Sequence, residues 1–175
     1  MNHRKFDTKL VAQIGVMLAL ATVLKLFKIY QMPQGGSVTM GSMVPILVMA
    51  YLHGPRVGMI TGFLFGMVTM VQEPYFLHPV QILLDYPLPF MALGLAGYFP
   101  NRILLGTVVA IGGRFFCHFL SGVVFFASYA PQGMSPYVYS FLFNASYLGP
   151  ELIISVVLLK LLPLARLKAK LSIPA

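Results

Sequence analysis

Between residues 10 and 162 the chain passes through six apolar stretches separated by short polar breaks, and that pattern constrains the fold more than any other feature. A helix crossing the hydrocarbon core of a bilayer needs roughly 20 predominantly apolar residues. Only 9% of the 175 residues are charged and 58% are hydrophobic, whereas a typical soluble domain has about 25% charged residues. Mean hydropathy is +0.84. So few charges do not cover the surface of a soluble fold of this size. The sequence therefore predicts an all-α integral membrane protein, a six-transmembrane-helix bundle forming a single membrane domain over residues 1–175. Its helices are expected at about 10–26, 40–52, 57–71, 79–98, 103–126 and 137–162.

The breaks carry the expected punctuation. Gly35 and Gly36 beside Pro33 mark the first loop, and Pro55 opens the third helix after Gly54. Pro87 and Pro89 fall inside the fourth helix, and each removes a backbone donor, so a kink or local unwinding is expected there. Pro150 gives the same expectation for the sixth. The second and third helices have the least definite ends. The basic residues of this +8 chain lie at its ends and in short loops, which argues for membrane orientation and against nucleic acid. Arg4, Lys5, Lys9, Arg56, Arg102, Arg166, Lys168 and Lys170 share one side if there are six spans. The positive-inside rule makes that side cytoplasmic, with both termini on it. Lys25 and Lys28 are exceptions at the outer end of the first helix, where long stems can snorkel to the interface. The basic segment before the first helix reads as the flank of a retained span, because the apolar run is long for a signal peptide. Cys117 is a lone cysteine in an apolar run, which excludes an internal disulfide and reads as packing. No GxxxxGK[ST] segment occurs, so ATP hydrolysis by a P-loop is excluded for this chain.

Ionisable residues within membrane segments are costly and usually functional. Four stand out: Asp85, Arg114, His118 and Glu151. Arg114 and His118 are four apart on one helical face. An Arg114–Glu151 ion pair is the structural reading of two of them, while Asp85 and His118, nearer the outer ends of their helices, are site candidates. Tyr75, Tyr86, Tyr129, Tyr137 and Tyr139 gather on the same side, with Asn144 about a turn below Tyr139. An interfacial aromatic belt accounts for part of this set. An acid, an imidazole, an amide and several aromatic faces also suit a small cationic heteroaromatic ligand, through charge, cation–π attraction and directed hydrogen bonds. No nucleophile–base pair or metal-ligand spacing points to an enzyme or a metal centre.

Several segments carry a more specific resemblance. Met32-Pro33-Gln34-Gly35-Gly36-Ser37-Val38-Thr39 is followed by Gly41-Ser42-Met43-Val44-Pro45; then come His78-Pro79-Val80-Gln81-Ile82-Leu83-Leu84-Asp85-Tyr86-Pro87 and Gly94-Leu95-Ala96-Gly97. Phe115-Phe116-Cys117-His118-Phe119 with Gly122 and Phe125, and Tyr137-Val138-Tyr139-Ser140 with Asn144, complete the set. Together, and in this order, they resemble the thiamine-specific S components of energy-coupling-factor (ECF) transporters, the YuaJ family. The resemblance implies a bacterial plasma-membrane protein of six helices that binds thiamine near its outer face and needs no cofactor. It places the substrate acid on Asp85, followed by Tyr86, and the remaining contacts on His118, Tyr139, Asn144 and Tyr75. Phe126 stands where related chains have Trp, and Asp85 where the acid can be Glu. The loop 31–39, with Gly36, is expected to close over the ligand. The resemblance also implies partners: a transmembrane coupling subunit driven by two ATPase subunits, besides membrane lipid.

Gly15 and Ala19 form a small-xxx-small pair on the first helix, with Ala21 nearby. Two readings stand for this face: packing inside the bundle, and docking of the coupling subunit that the resemblance implies. A stand-alone proton-coupled thiamine transporter using Asp85, His118 or Glu151 is the alternative function, since such residues form proton relays.

Overall fold

The computed structural model describes residues 7–33 and 35–170. Arg4 and Lys5, counted above toward orientation, and Gln34 of the first loop lie outside the described residues. Helix α1 (Thr8–Leu26) starts where the Asp7 side chain accepts a hydrogen bond from the Leu10 N–H. A two-stranded antiparallel hairpin follows, β1 (Lys28–Gln31) and β2 (Ser37–Thr39). Then come α2 (Val44–His53), α3 (Pro55–Gln72), α4 (Pro79–Asp85) and α5 (Pro87–Ala92), the last running into a 3-10 segment, Leu93–Tyr98. Helices α6 (Ile103–Phe125) and α7 (Pro136–Leu161) are the longest, and a short α8 (Leu164–Lys170) closes the described chain.

The all-α membrane architecture holds, with differences of detail that have physical causes. Among the described residues four segments are long and apolar enough to cross a membrane: Thr8–Leu26, Pro79–Tyr98, Ile103–Phe125 and Pro136–Leu161. Helix α2 has 10 residues, about 15 Å at 1.5 Å per residue, and is too short to span alone. Every residue from Val44 to Leu52 is buried, so protein rather than lipid surrounds it. The apolar run expected to be the fourth helix breaks at Tyr86. Pro87 and Pro89 supply no N–H to the turn before them, and Tyr86 takes φ −118°, ψ −78°. Helix α7, by contrast, continues through Pro150.

The core is built around α2, whose Ile46, Leu47 and Ala50 pack with Phe65, Phe90, Leu93, Ala96, Ala110 and Leu148. Close approach of α3 to the α4–α5 break depends on Gly66. A Cβ there would meet the Tyr86 carbonyl and lie 2.9 Å from Cα of Pro87. The chain folds so that the hairpin, the end of α3, the α3–α4 loop, the end of α6 and the start of α7 meet at one end. The turns holding Arg56 and Arg102 lie at the other, where Gly97 packs on the Gly54–Pro55 backbone. Leu164 and Leu167 of α8 pack against the same core cluster.

Candidate functional site

At the hairpin end the bundle encloses a cavity of about 310 Å³, within the range of about 300–1,000 Å³ usual for small-molecule sites. Its walls come from the hairpin, the end of α3, α4, α6 and α7. All eight residues anticipated from the sequence line it: Gly36, Tyr75, Asp85, Tyr86, His118, Phe126, Tyr139 and Asn144.

Asp85 occupies the last turn of α4. Its Oδ2 accepts a hydrogen bond from Nε2 of Gln81 at 2.6 Å, and its Oδ1 lies 3.3 Å from Nδ1 of His118. Nε2 of His118 in turn accepts from Nε of Arg114 at 3.3 Å. A neutral imidazole with Nε2 accepting carries its proton on Nδ1 and donates it to the carboxylate. The two acceptor sites so occupied leave a carboxylate two more for a ligand.

Arg114 makes a second contact, with its guanidinium carbon 4.3 Å from the centroid of Phe90. The expected Arg114–Glu151 ion pair is not among the ion pairs of the described residues. Glu151 is instead occupied by the hairpin: its Oε1 accepts from the backbone N–H of Thr39 and, at 2.6 Å, from the Thr39 hydroxyl.

The aromatic residues are held in different ways. Tyr75 stacks on Phe126 with centroids 5.7 Å apart and an interplanar angle of 26°, and its hydroxyl lies 3.0 Å from that of Tyr129. The Tyr86 hydroxyl donates to the Glu73 carbonyl at 2.7 Å and accepts from the Tyr75 N–H at 2.8 Å, so it fixes the α3–α4 loop as well as lining the cavity. Tyr139 packs on Phe143. The Asn144 amide donates to the Ser140 and His118 carbonyls, and its Oδ1 accepts from the Tyr147 hydroxyl at 2.8 Å. One Oδ1 lone pair remains. Gly36 has φ +83°, and a Cβ there would stand 2.8 Å from Cε1 of Tyr147, so the hairpin lies directly on that ring.

Lys25, Gln81 and Tyr147 also line the cavity and were not anticipated as part of the site. Lys25 does not snorkel outward: it is buried, with Nζ 2.9 Å from Glu73 Oε2, and Lys28 pairs with the other oxygen of that carboxylate. Gln81 is 1% exposed and satisfies Leu77 N–H, the Tyr75 carbonyl and Asp85 together. Its position one helical turn before Asp85 was the available signal. Tyr147 lies three residues after Asn144 on the same buried face, another spacing that could have revealed it. Among the described residues no group of three or more His, Cys, Asp or Glu is placed to hold a metal ion.

A polar, aromatic-lined cavity at one end of an apolar helical bundle, roofed by a hairpin, defines a multi-pass membrane protein that receives a small solute. Comparison with known proteins narrows that class. The family described as Thiamine transporter protein (Thia_YuaJ) matches residues 11–171, and the chain belongs to it. Its role is therefore transport rather than catalysis. The chain is 37% identical over 181 residues to "Thiamine transporter ThiT" of Bacillus subtilis (strain 168), covering 93% of each chain. It is 29% identical over 122 residues to the protein of the same name from Lacticaseibacillus paracasei, covering 58% of this chain and 61% of that one. A solved structure of ThiT from Listeria monocytogenes shares the fold, with a TM-score of 0.78 at 21% identity over 87% of this chain and 91% of that one.

Proposed function

We propose that this chain is the substrate-binding membrane subunit of an ECF transporter and that it captures thiamine in the cavity beneath the β1–β2 hairpin. The observation that carries this reading is the Asp85 carboxylate, lining a cavity whose walls include Tyr75, Tyr86, Phe126, Tyr139 and Phe143. A carboxylate complements a cationic, amino-bearing ligand, and aromatic faces attract a cation through their quadrupole. In this reading His118, Tyr139 and Asn144 meet ring and amino groups, Tyr75, Tyr86 and Phe126 provide stacking surface, and Gly36 carries the closing hairpin. Lys25 and Lys28 are both engaged by Glu73, which supports free thiamine over its phosphates.

Docking of a transmembrane coupling subunit, itself driven by two ATPases in this reading, is supported by the surface of α1. A Cβ at Gly15 would meet nothing within 4 Å, and Ala19 is exposed, so this small-residue face is available to another helix. Ala21 faces the core instead.

Calorimetry tests the binding role. Asp85→Ala should weaken thiamine binding at least tenfold, as expected when a charge-assisted hydrogen bond of about 1.5–3 kcal/mol is lost. Unchanged affinity removes Asp85 from the site. The Arg114–His118–Asp85 chain of ionisable groups favours a second reading, stand-alone proton-coupled transport. Thiamine uptake into vesicles containing only this chain, driven by a pH gradient, would establish that reading and displace the ECF one.

A further inference from the structure

The roof of the cavity is attached to its walls along two seams of different character. On the β1 side, Lys28 pairs with Glu73, whose side chain is 42% exposed. On the β2 side, Thr39 is 2% exposed and gives both its N–H and its hydroxyl to Glu151, also 2% exposed. The Thr39 hydroxyl lies 2.8 Å from that of Ser42 and accepts from the Ser42 N–H at 3.1 Å, so the same cluster shapes the turn leading into α2. Glu151 does not line the cavity. It lies on the buried face of α7 that also carries Ser140, Asn144 and Tyr147, and the hairpin's Gly36 rests on Tyr147.

Glu151 is an expensive residue to bury, and a carboxylate there needs hydrogen-bond donors. The structure supplies two from the roof, both to Oε1, while Oε2 is buried without a partner among the described residues. We propose that Glu151 is a positioning residue for ligand capture: it pins Thr39 to α7 and so fixes the height and register of the hairpin over the cavity. The inference rests on the reading of the cavity as a thiamine site. It assigns to this acid a part that neither the aromatic walls nor Asp85 performs. Rupture of the pin lets the hairpin, with Gly36, lift from Tyr147 while the cavity walls stay in place, so the effect falls on the release of bound ligand.

Release of radiolabelled thiamine from the detergent-solubilised full chain tests this directly. Glu151→Ala should speed release roughly tenfold or more, the scale of losing both hydrogen bonds to a buried acceptor. Glu151→Gln keeps an acceptor oxygen for Thr39 and should stay within about threefold of the parent, since the hydrogen bonds persist without the charge. Thr39→Val, which keeps the N–H bond to Glu151 and loses the hydroxyl's bonds to Glu151 and Ser42, should fall between the two, and Glu151→Ala combined with Thr39→Val should release no faster than Glu151→Ala alone. If Glu151→Ala does not fold, the ordering of Glu151→Gln and Thr39→Val against the parent decides. Parent-like release from Thr39→Val together with rapid release from Glu151→Gln overturns the pin, as does parent-like release from Glu151→Ala. Failure of the unmodified chain to bind thiamine strikes the proposed function instead, and is read in the same experiment.

Discussion

Glu73 shows how two opposing effects are decided at a single residue. Partial burial raises a carboxyl, but hydrogen bonds from Lys28 and Lys25 outweigh it and hold Glu73 below its ordinary value of 4.5. A group depressed in the folded state stabilises the fold above its unfolded value, and that contribution disappears as pH falls through the folded value. Glu73→Gln should therefore melt lower than the parent at neutral pH, because it leaves the buried Lys25 cation without its partner. The difference should close as pH is lowered below 4.5, and it should shrink in high salt because the carboxylate is partly exposed. Thermal melts in detergent across that pH range measure both. The residue escapes sequence reading for a plain reason. A charge at the end of an apolar run looks like a solvated loop residue, whereas Asp85 and His118 stand inside such runs and announce themselves. Gln81 is passed over because a neutral amide carries no hydropathy signal, although three hydrogen bonds converge on it.

At the scale of elements, Pro87 and Pro89 fall where the apolar run from Pro79 to Tyr98 breaks into two helices. The hairpin was not legible: four residues of β1 and three of β2 are too few for a period-2 pattern to separate from a loop. Nor was the enclosure of α2, since an apolar run has the same composition whether lipid or protein surrounds it. The contact between α3 and the α4–α5 break depends on the missing side chain of Gly66. Gly66→Ala should cost about 1–3 kcal/mol, the usual scale of overpacking, and show as a lowered melting temperature. Gly112 is the control, because a Cβ there would meet nothing within 4 Å. Gly112→Ala should be neutral or should stabilise by roughly 0.5–1 kcal/mol through helix propensity.

For the molecule as a whole, the outward face of α1 separates binding from coupling in the proposed mechanism. Gly15→Leu with Ala19→Leu adds bulk away from the core and the cavity. Thiamine affinity should stay within about twofold, as for surface changes that touch nothing. Uptake by cells supplying the coupling module should fall to background. Retained uptake would remove this face from the partner interface. The unequal lengths of the helices bear on where the solute is met. Helix α7 has 26 residues and α6 has 23, about 39 and 35 Å at 1.5 Å each, against a hydrocarbon layer of about 30 Å. The surplus is taken up by tilt or by projection beyond the acyl chains. Because the cavity is built from the hairpin-side ends of these two helices, projection lifts it toward headgroup depth, where a hydrated vitamin can shed its water shell without first entering oil.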